Sequence, residues 1–223
     1  MRMLVNLTPN TRPVSFEYPQ RLLGKIHKWL GENNYHDEIS LYSFSWLQGS
    51  RKKGDFLDFK YGAKWFISAF DMPFVQELVR GVFQNSHVEY GMEVKDISLV
   101  ETPQFGTKAQ FWLGSPVFLK RNELDETGKE FQKYYIYKDE ITNELLTQTL
   151  QTKLQKAGIS DPNLKVYFDT SYDKAKTKMM RIKNKNYRAS MCPVIIEGKS
   201  ETLAFAWNVG VGNNTGMGFG ALR

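Results

Sequence analysis

The clearest periodicity in the chain lies between residues 18 and 30. Leu22, Leu23, Ile26, Trp29 and Leu30 fall at i, i+1, i+4, i+7 and i+8, which makes one apolar helical stripe, and Gly31 with Asn33-Asn34 supplies a stop. A second stripe, Phe74, Val75, Leu78, Val79 and Val82, follows Pro73, a residue suited to a first helical turn. A third runs from about Asp139 through Ile141, Leu145, Leu146, Leu150 and Leu154 until Gly158 caps it and Pro162 forbids continuation. Between these helices, short apolar and β-branched runs read as strands at 2–7, 41–47, around 55–61, 64–70 and 92–101, with a Gly- and Lys-containing link at 49–54.

The order to residue 101 is β-α-β-β-α-β, the ferredoxin-like arrangement of a small antiparallel sheet with two helices on one face. Thr102-Pro103 and Gly106 mark a hinge. Beyond it, 109–119, 133–138, 164–169 and 190–197 read as strands, and Pro193 makes the last an edge or bulged one. Ser200 caps a fourth helix through Leu203, Ala206 and Trp207, although alternation also permits a strand there, and 218–222 reads as a short strand. The expected fold is therefore α+β, two tandem ferredoxin-like (RRM-like) domains with antiparallel sheets, spanning 1–103 and 104–223. A base-stacking RNA recognition motif signature is missing, because Gly218-Phe219-Gly220 is not followed by Phe-Val-x-aromatic.

With 41% hydrophobic and 24% charged residues, the chain has enough apolar surface to fold. The lone Cys192 excludes an internal disulfide framework. Three histidines (His27, His36, His87) without ligand-like pairing make catalysis by a soft-ligand metal improbable, so neither metal nor cofactor is expected. The start MRMLVNLTPNTRP lacks a signal-peptide core and no 18-residue apolar run occurs, so a cytoplasmic protein away from membranes is expected.

Charge changes the picture more. The net charge is +6, and the segment 174–188 carries seven cations, Lys174, Lys176, Lys178, Arg181, Lys183, Lys185 and Arg188, with no acid. The rest of the chain then balances at 23 basic against 24 acidic residues. Concentrating the whole excess in one stretch suggests an anionic partner, with nucleic acid leading. Met179, Met180, Ile182 and Tyr187 interleave with the cations as in a twisted hairpin presenting charge on one face. If four to seven cations touch phosphates, log affinity should fall against log salt with a slope of roughly −3 to −6.

Five glycines, Gly210, Gly212, Gly216, Gly218 and Gly220, then fall within eleven residues around Asn213, Asn214 and Thr215. The context is neither a dinucleotide fingerprint nor a P-loop. Two readings stay open: a loop whose free amides meet phosphates, or a series of tight turns and bulges.

The ending WNVGVGNNTGMGFG, at 207–220, resembles the signature glycine-rich loop of the CRISPR-associated repeat-processing endoribonucleases. The opening MRMLVNL, the helix RLLGKIHKWL, Tyr35-His36-Asp37 and the strand YSFSWL at 42–47 stand in that family's order. The resemblance implies metal-independent cleavage of precursor CRISPR RNA within each repeat, by attack of the scissile nucleotide's 2′-hydroxyl on the adjacent phosphate. The ends left would be a 5′-hydroxyl and a 2′,3′-cyclic phosphate. It implies His36, in the loop after the first helix, as general acid or base, and His27, about 40° beyond Leu23 on the helical wheel, as a second site residue. It gives RNA contact to the basic segment and to Gly210, Gly212, Asn213, Asn214, Gly216 and Gly218.

The family's lysine after the loop histidine is missing here. Lys25, Lys28 or the Arg51-Lys52-Lys53 run remain for the cationic role, and His87 reads as structural. Expected partners are CRISPR repeat RNA (precursor crRNA), with other CRISPR interference proteins and a homodimer left open. Two alternatives stand beside the nuclease: a non-catalytic RNA-binding protein of the same fold, and a small-molecule or phosphate-binding regulatory module.

Overall fold

A computed structural model describes residues 1–31, 39–182 and 184–223. In the first strand, β1 (Arg2–Leu7), the alternate residues Met3, Val5 and Leu7 are buried and so fix one face toward a core. Helix α1 (Tyr18–Leu30) lays Leu22, Ile26, Trp29 and Leu30 on that face. There follow β2 (Tyr42–Phe44), β3 (Arg51–Lys53), β4 (Phe56–Asp58), β5 (Ala63–Ala69), α2 (Met72–Gln84) and β6 (Val94–Val100). Four of these strands form an antiparallel sheet in the order β2-β5-β1-β6, with Val5 opposite both Trp65 and Ile97. This is the expected ferredoxin-like order. Close packing of α1 on α2 needs Gly81, because a β-carbon there would stand 2.2 Å from the Trp29 carbonyl oxygen.

One element was not expected. The link at 49–54 contains β3, which pairs with β4 as a separate two-stranded ribbon in the register Arg51↔Asp58, Lys52↔Leu57 and Lys53↔Phe56.

The second half contains β7 (Lys108–Phe111), β8 (Leu119–Leu124), β9 (Glu130–Tyr135), α3 (Thr142–Lys156), β10 (Lys165–Phe168), β11 (Lys176–Ile182), β12 (Lys185–Met191), β13 (Val194–Glu197) and α4 (Ser200–Val209). Its sheet runs β10-β13-β7, matching β2-β5-β1 of the first half. The fourth position is a single bridge, Leu113 to Leu222, so the strand expected at 218–222 does not form. Two antiparallel hairpins, β8–β9 and β11–β12, stand outside this sheet.

Two further expectations need correction. The run 109–119 is interrupted at Gly114-Ser115-Pro116, because the C-terminal segment takes its backbone groups. Gly114 N–H donates to the Ala221 carbonyl (2.7 Å), and Pro116 O accepts from Gly220 N–H (2.8 Å). The run 190–197 divides at Cys192-Pro193, and β13 becomes the central strand, not an edge. Proline lacks an N–H, so it lies just ahead of the ladder, its carbonyl accepting from Asp169 N–H at 2.8 Å.

Residues 200–209 are helical. Periodicity was ambiguous there because Leu203, Phe205, Ala206, Trp207 and Val209 are all buried, as in a helix enclosed on every side. What encloses α4 is the other face of the first sheet. Arg2 lies between the Phe66 and Trp207 rings, 4.0 and 3.5 Å from their centroids. It donates to Ser68 Oγ (2.6 Å) and to the carbonyls of Trp207 (3.1 Å) and Leu222 (2.6 Å). Ser43 Oγ donates to the Asn208 carbonyl (3.1 Å), and Phe70 meets Phe205 edge-on at 5.0 Å. One apolar cluster spans residues 3–92 and a second spans 111–222. Among the described residues, no helix is long and apolar enough to cross a membrane.

Candidate nucleic-acid interface

The basic segment is a hairpin whose register runs from Lys176↔Met191 to Ile182↔Lys185. Strand alternation divides its cations, contrary to the expectation of a single charged face. Arg181 and Arg188 lie on one side, while Lys176, Lys178 and Lys185 share the other with Met180 and Ile182. Met180, Ile182 and Ala189 are buried against Phe118 and Phe219, which fastens the hairpin to the glycine-rich ending. Tyr187 stacks on Tyr134 at 6.1 Å between centroids, and its burial raises the phenol's pKa, with Tyr134 adding to the shift. Lys174, in the turn before β11, is exposed, as are Lys176, Lys178, Arg181, Lys185 and Arg188. Lys183 lies outside the described residues.

Docked in this way, the hairpin tip reaches α1. Between them opens a cleft of about 730 Å³. Helix α1 contributes Gln20, Leu23, Gly24 and His27; the hairpin contributes Ile182, Asn184, Lys185 and Tyr187; Gly216 and Met217 close it, with Ser40 and Tyr42 from the first half. His27 is half-buried on this wall, as its position at the border of the apolar stripe predicted. His36 lies outside the described residues, and Ser40, four positions on, lines the cleft.

Lys185 is the cation of the cleft lining, and no carboxylate lines it among the described residues. The cations considered from sequence are placed elsewhere. Lys25 is buried over the Trp29 ring at 5.1 Å, Lys28 borders an adjoining hollow and not the cleft itself, and Arg51-Lys52-Lys53 form β3. Lys185 was legible only as one member of a charge run, because its special position depends on hairpin register. His87 is exposed, its backbone bridged to Glu93.

The glycine-rich ending is mostly internal. The amides of Gly210, Asn213 and Gly218 donate to Ala206 O, Phe118 O and Thr215 O, so they are not free for phosphates. A β-carbon on Gly210 would stand 2.6 Å from Gly220 O, one on Gly212 2.7 Å from Phe118 O, and one on Gly218 2.8 Å from the Phe44 ring. Gly210 and Gly218 allow the segment to pass against Ser43 and Phe44 of the first half, and Gly212 lets it lie close to Phe118 of its own. Gly216 faces the cleft, its carbonyl accepting from Tyr42 O–H at 3.1 Å, while Trp46 Nε1 donates to Gly218 O at 3.0 Å. Burial raises the Tyr42 pKa, so this phenol stays protonated and acts as a donor.

Behind the loop, Gly212, Asn213, Asn214, Thr215 and Ser40 line a smaller hollow of about 280 Å³. At its base is Lys153, 5% exposed, a residue that the sequence reading missed because it lies within an ordinary amphipathic helix. Its Nζ donates to Val209 O and Gly210 O, both at 3.3 Å, and to Thr215 Oγ1 at 3.0 Å. It thereby ties the end of α4 to the start of the turn at Thr215–Met217. Burial lowers its pKa to about 7.

The cleft thus offers an imidazole, an ammonium, a phenol and amide or hydroxyl groups, the set needed to orient a phosphodiester and move protons beside it. Among the described residues, no three or more His, Cys, Asp or Glu side chains gather as metal ligands.

Comparison with known proteins identifies the fold and the family. Residues 100–223 match the family model for the C-terminal part of the CRISPR-associated protein Cas6. No curated protein sequence matches the chain significantly. Among solved structures, the product of a Cas6-related gene from Pyrococcus furiosus superposes with a TM-score of 0.87 at 18% identity, over 100% of this chain and 97% of the other. A CRISPR-associated Cas6 protein gives 0.83 at 20% identity, covering 100% and 98%. A RAMP protein described as binding different RNA substrates gives 0.86 at 18% identity, also covering 100% and 98%. At such identities the superpositions establish the tandem ferredoxin-like fold, and the match over more than half the sequence establishes descent: the chain belongs to the Cas6 family of CRISPR-associated, RNA-processing endoribonucleases.

Proposed function

We propose that this protein cleaves precursor CRISPR RNA within its repeats by internal transesterification that needs no metal. The observation that carries the reading is the meeting of His27, on the first half, with Lys185, on the basic hairpin of the second, across one cleft. The repeat backbone crosses that cleft, and the 2′-oxygen attacks the adjacent phosphorus as a base removes its proton. The bond from phosphorus to the 5′-oxygen then breaks as an acid protonates the leaving oxygen. A 2′,3′-cyclic phosphate and a 5′-hydroxyl result. His27 and His36 divide the base and acid roles, imidazole being a side chain that can both take up and release a proton. Lys185 takes the role of the missing loop lysine and offsets charge on the phosphorane.

The exposed cations from Lys174 to Arg188 hold phosphates flanking the cut, with Gly216 and the rim at Asn213 and Asn214 against the backbone. The binding of different RNA substrates by the structurally similar RAMP protein supports an RNA ligand. The two apolar clusters support folding units at 1–103 and 104–223. The test is incubation of a repeat transcript with the protein in chelator, beside the same RNA carrying a 2′-deoxy nucleotide at the cut. Site-specific cleavage of the first and intact binding without cleavage of the second are expected; cutting of the deoxy substrate sinks the mechanism.

A further inference from the structure

The β3–β4 ribbon is not needed for the first sheet, joins the body through the bridge Val14↔Leu57, and holds exposed aromatic rings against cations. Tyr61 is 77% exposed, Phe16 50% and Phe56 48%. Lys52 Nζ stands 6.0 Å from the Phe16 centroid; the Arg51 guanidinium and Lys60 Nζ stand 5.7 and 5.6 Å from that of Tyr61. Among the described residues, none of Arg51, Lys52, Lys53 and Lys60 is in an ion pair, although Asp58 lies opposite Arg51 in the ladder and Asp55 lies in the turn. Exposed rings held beside cations match the flat faces and phosphates of unstacked nucleotides. A duplex hides its base faces, so the match is to a single strand.

Phe16 is also flanked by residues of a hollow that adjoins the cleft and is lined by Arg21 and Lys28 as well as Glu17 and Glu89. Gln20 and Gly24 line both the cleft and an adjoining hollow that reaches Ser15 and Glu17, on either side of Phe16. From Tyr18 to His27 the axis of α1 advances about 14 Å, a few nucleotides.

We infer that the β3–β4 ribbon, with Phe16 and Tyr61 as stacking platforms, binds a single-stranded segment of the RNA that flanks the part held in the cleft. This rests on the proposed RNA-cleaving function and adds a second site to it. Neither ring lines the cleft, so the reaction itself should not need them.

The test compares a repeat RNA limited to the nucleotides around the cut with the same RNA extended by eight unstructured nucleotides, on the 5′ or the 3′ side. For the unaltered protein, one extension should tighten binding about tenfold or more, and 4-thiouridine within it should crosslink to peptides containing residue 16 or residues 51–61. In the Phe16→Ala/Tyr61→Ala double variant most of that gain should be lost, since the loss of even one base stack costs roughly five- to a hundredfold in affinity. The short RNA should be cut at the same rate by both proteins. An undiminished gain in the double variant, or crosslinks confined to other peptides, overturns the ribbon site and leaves the surface to a protein partner. Failure of both proteins to bind or cut even the short RNA rejects the function on which the site rests.

Discussion

The two halves share a strand order but use it differently. The first completes a four-stranded sheet, buries one face under α1 and α2, and covers the other with α4 from its partner half. The second keeps three strands, reduces the fourth to a bridge at Leu222, and extends two hairpins and a glycine-rich segment beyond its sheet. The difference shows how a duplicated architecture divides labour. A complete sheet holds α1 and therefore His27 in place, whereas the reduced one frees chain to carry charge across the junction. Arg2 bonds to both sides of that junction, with both its aromatic contacts and its carbonyl partners buried.

The comparison breaks most visibly at the cleft. His27→Ala should lower the single-turnover cleavage rate by about 10² to 10⁴ with RNA affinity changed less than about threefold. Lys185→Ala should cost about 10² to 10³ and be partly restored by arginine. Rapid-quench measurements at saturating protein decide both, and a His27→Ala protein cutting at the unaltered rate removes that residue from the site.

Glycines separate the halves next. Gly81→Ala, pressing on Trp29, and Gly218→Ala, at φ 89° and against Phe44, should each cost about 1 to 3 kcal/mol in denaturant unfolding. The second should slow cleavage more, since its loop continues into Gly216 and Met217 at the cleft, whereas the first reaches His27 only through the packing of α1. Equal effects on cleavage would argue that the two halves do not differ as described.

Replacing Lys178 and Arg181 by glutamate should weaken binding. It should also flatten the slope of log affinity against log salt by about 1.5, two phosphate contacts' worth, without moving the unfolding midpoint. Because these two cations lie on opposite faces of the hairpin, the single variants show which face meets RNA; an unchanged slope in both removes the hairpin as a phosphate clamp.

A further effect concerns pH and Lys153, away from the cleft. In the unfolded chain this lysine holds its proton up to its ordinary value of 10.5, while burial in the folded protein releases it near 7. Between those values the unfolded state binds the extra proton, so this group's contribution to stability should rise with pH from about 7 toward 10 and be flat below 7. Lys153→Met should remove that part of the slope in unfolding titrations. A stability profile identical in the two proteins would mean that the lysine stays charged in its three-oxygen site.

Local chemistry determined much of this protein before any fold was considered. Period-3.6 stripes placed α1, α2 and α3, apolar and β-branched runs placed β1, β5 and β6, and the charge run marked the hairpin that carries Lys185. These features depend on residues within one turn or one strand of each other, so they are readable along the chain. Tertiary structure alone decided that Pro193 precedes a central strand, that 218–222 forms a bridge, and that β3 pairs into a ribbon. It also decided that Gly210 and Gly218 serve close approach between the halves and Gly212 close approach to Phe118 within the second, that Lys153 sits behind their loop, and that Lys185 rather than Lys25 or Lys28 enters the cleft with His27. Apart from the β3–β4 pairing, whose partners lie three to seven residues apart, those outcomes depend on partners far away in the chain, which no window of sequence contains, because register and close packing are properties of the assembled surfaces.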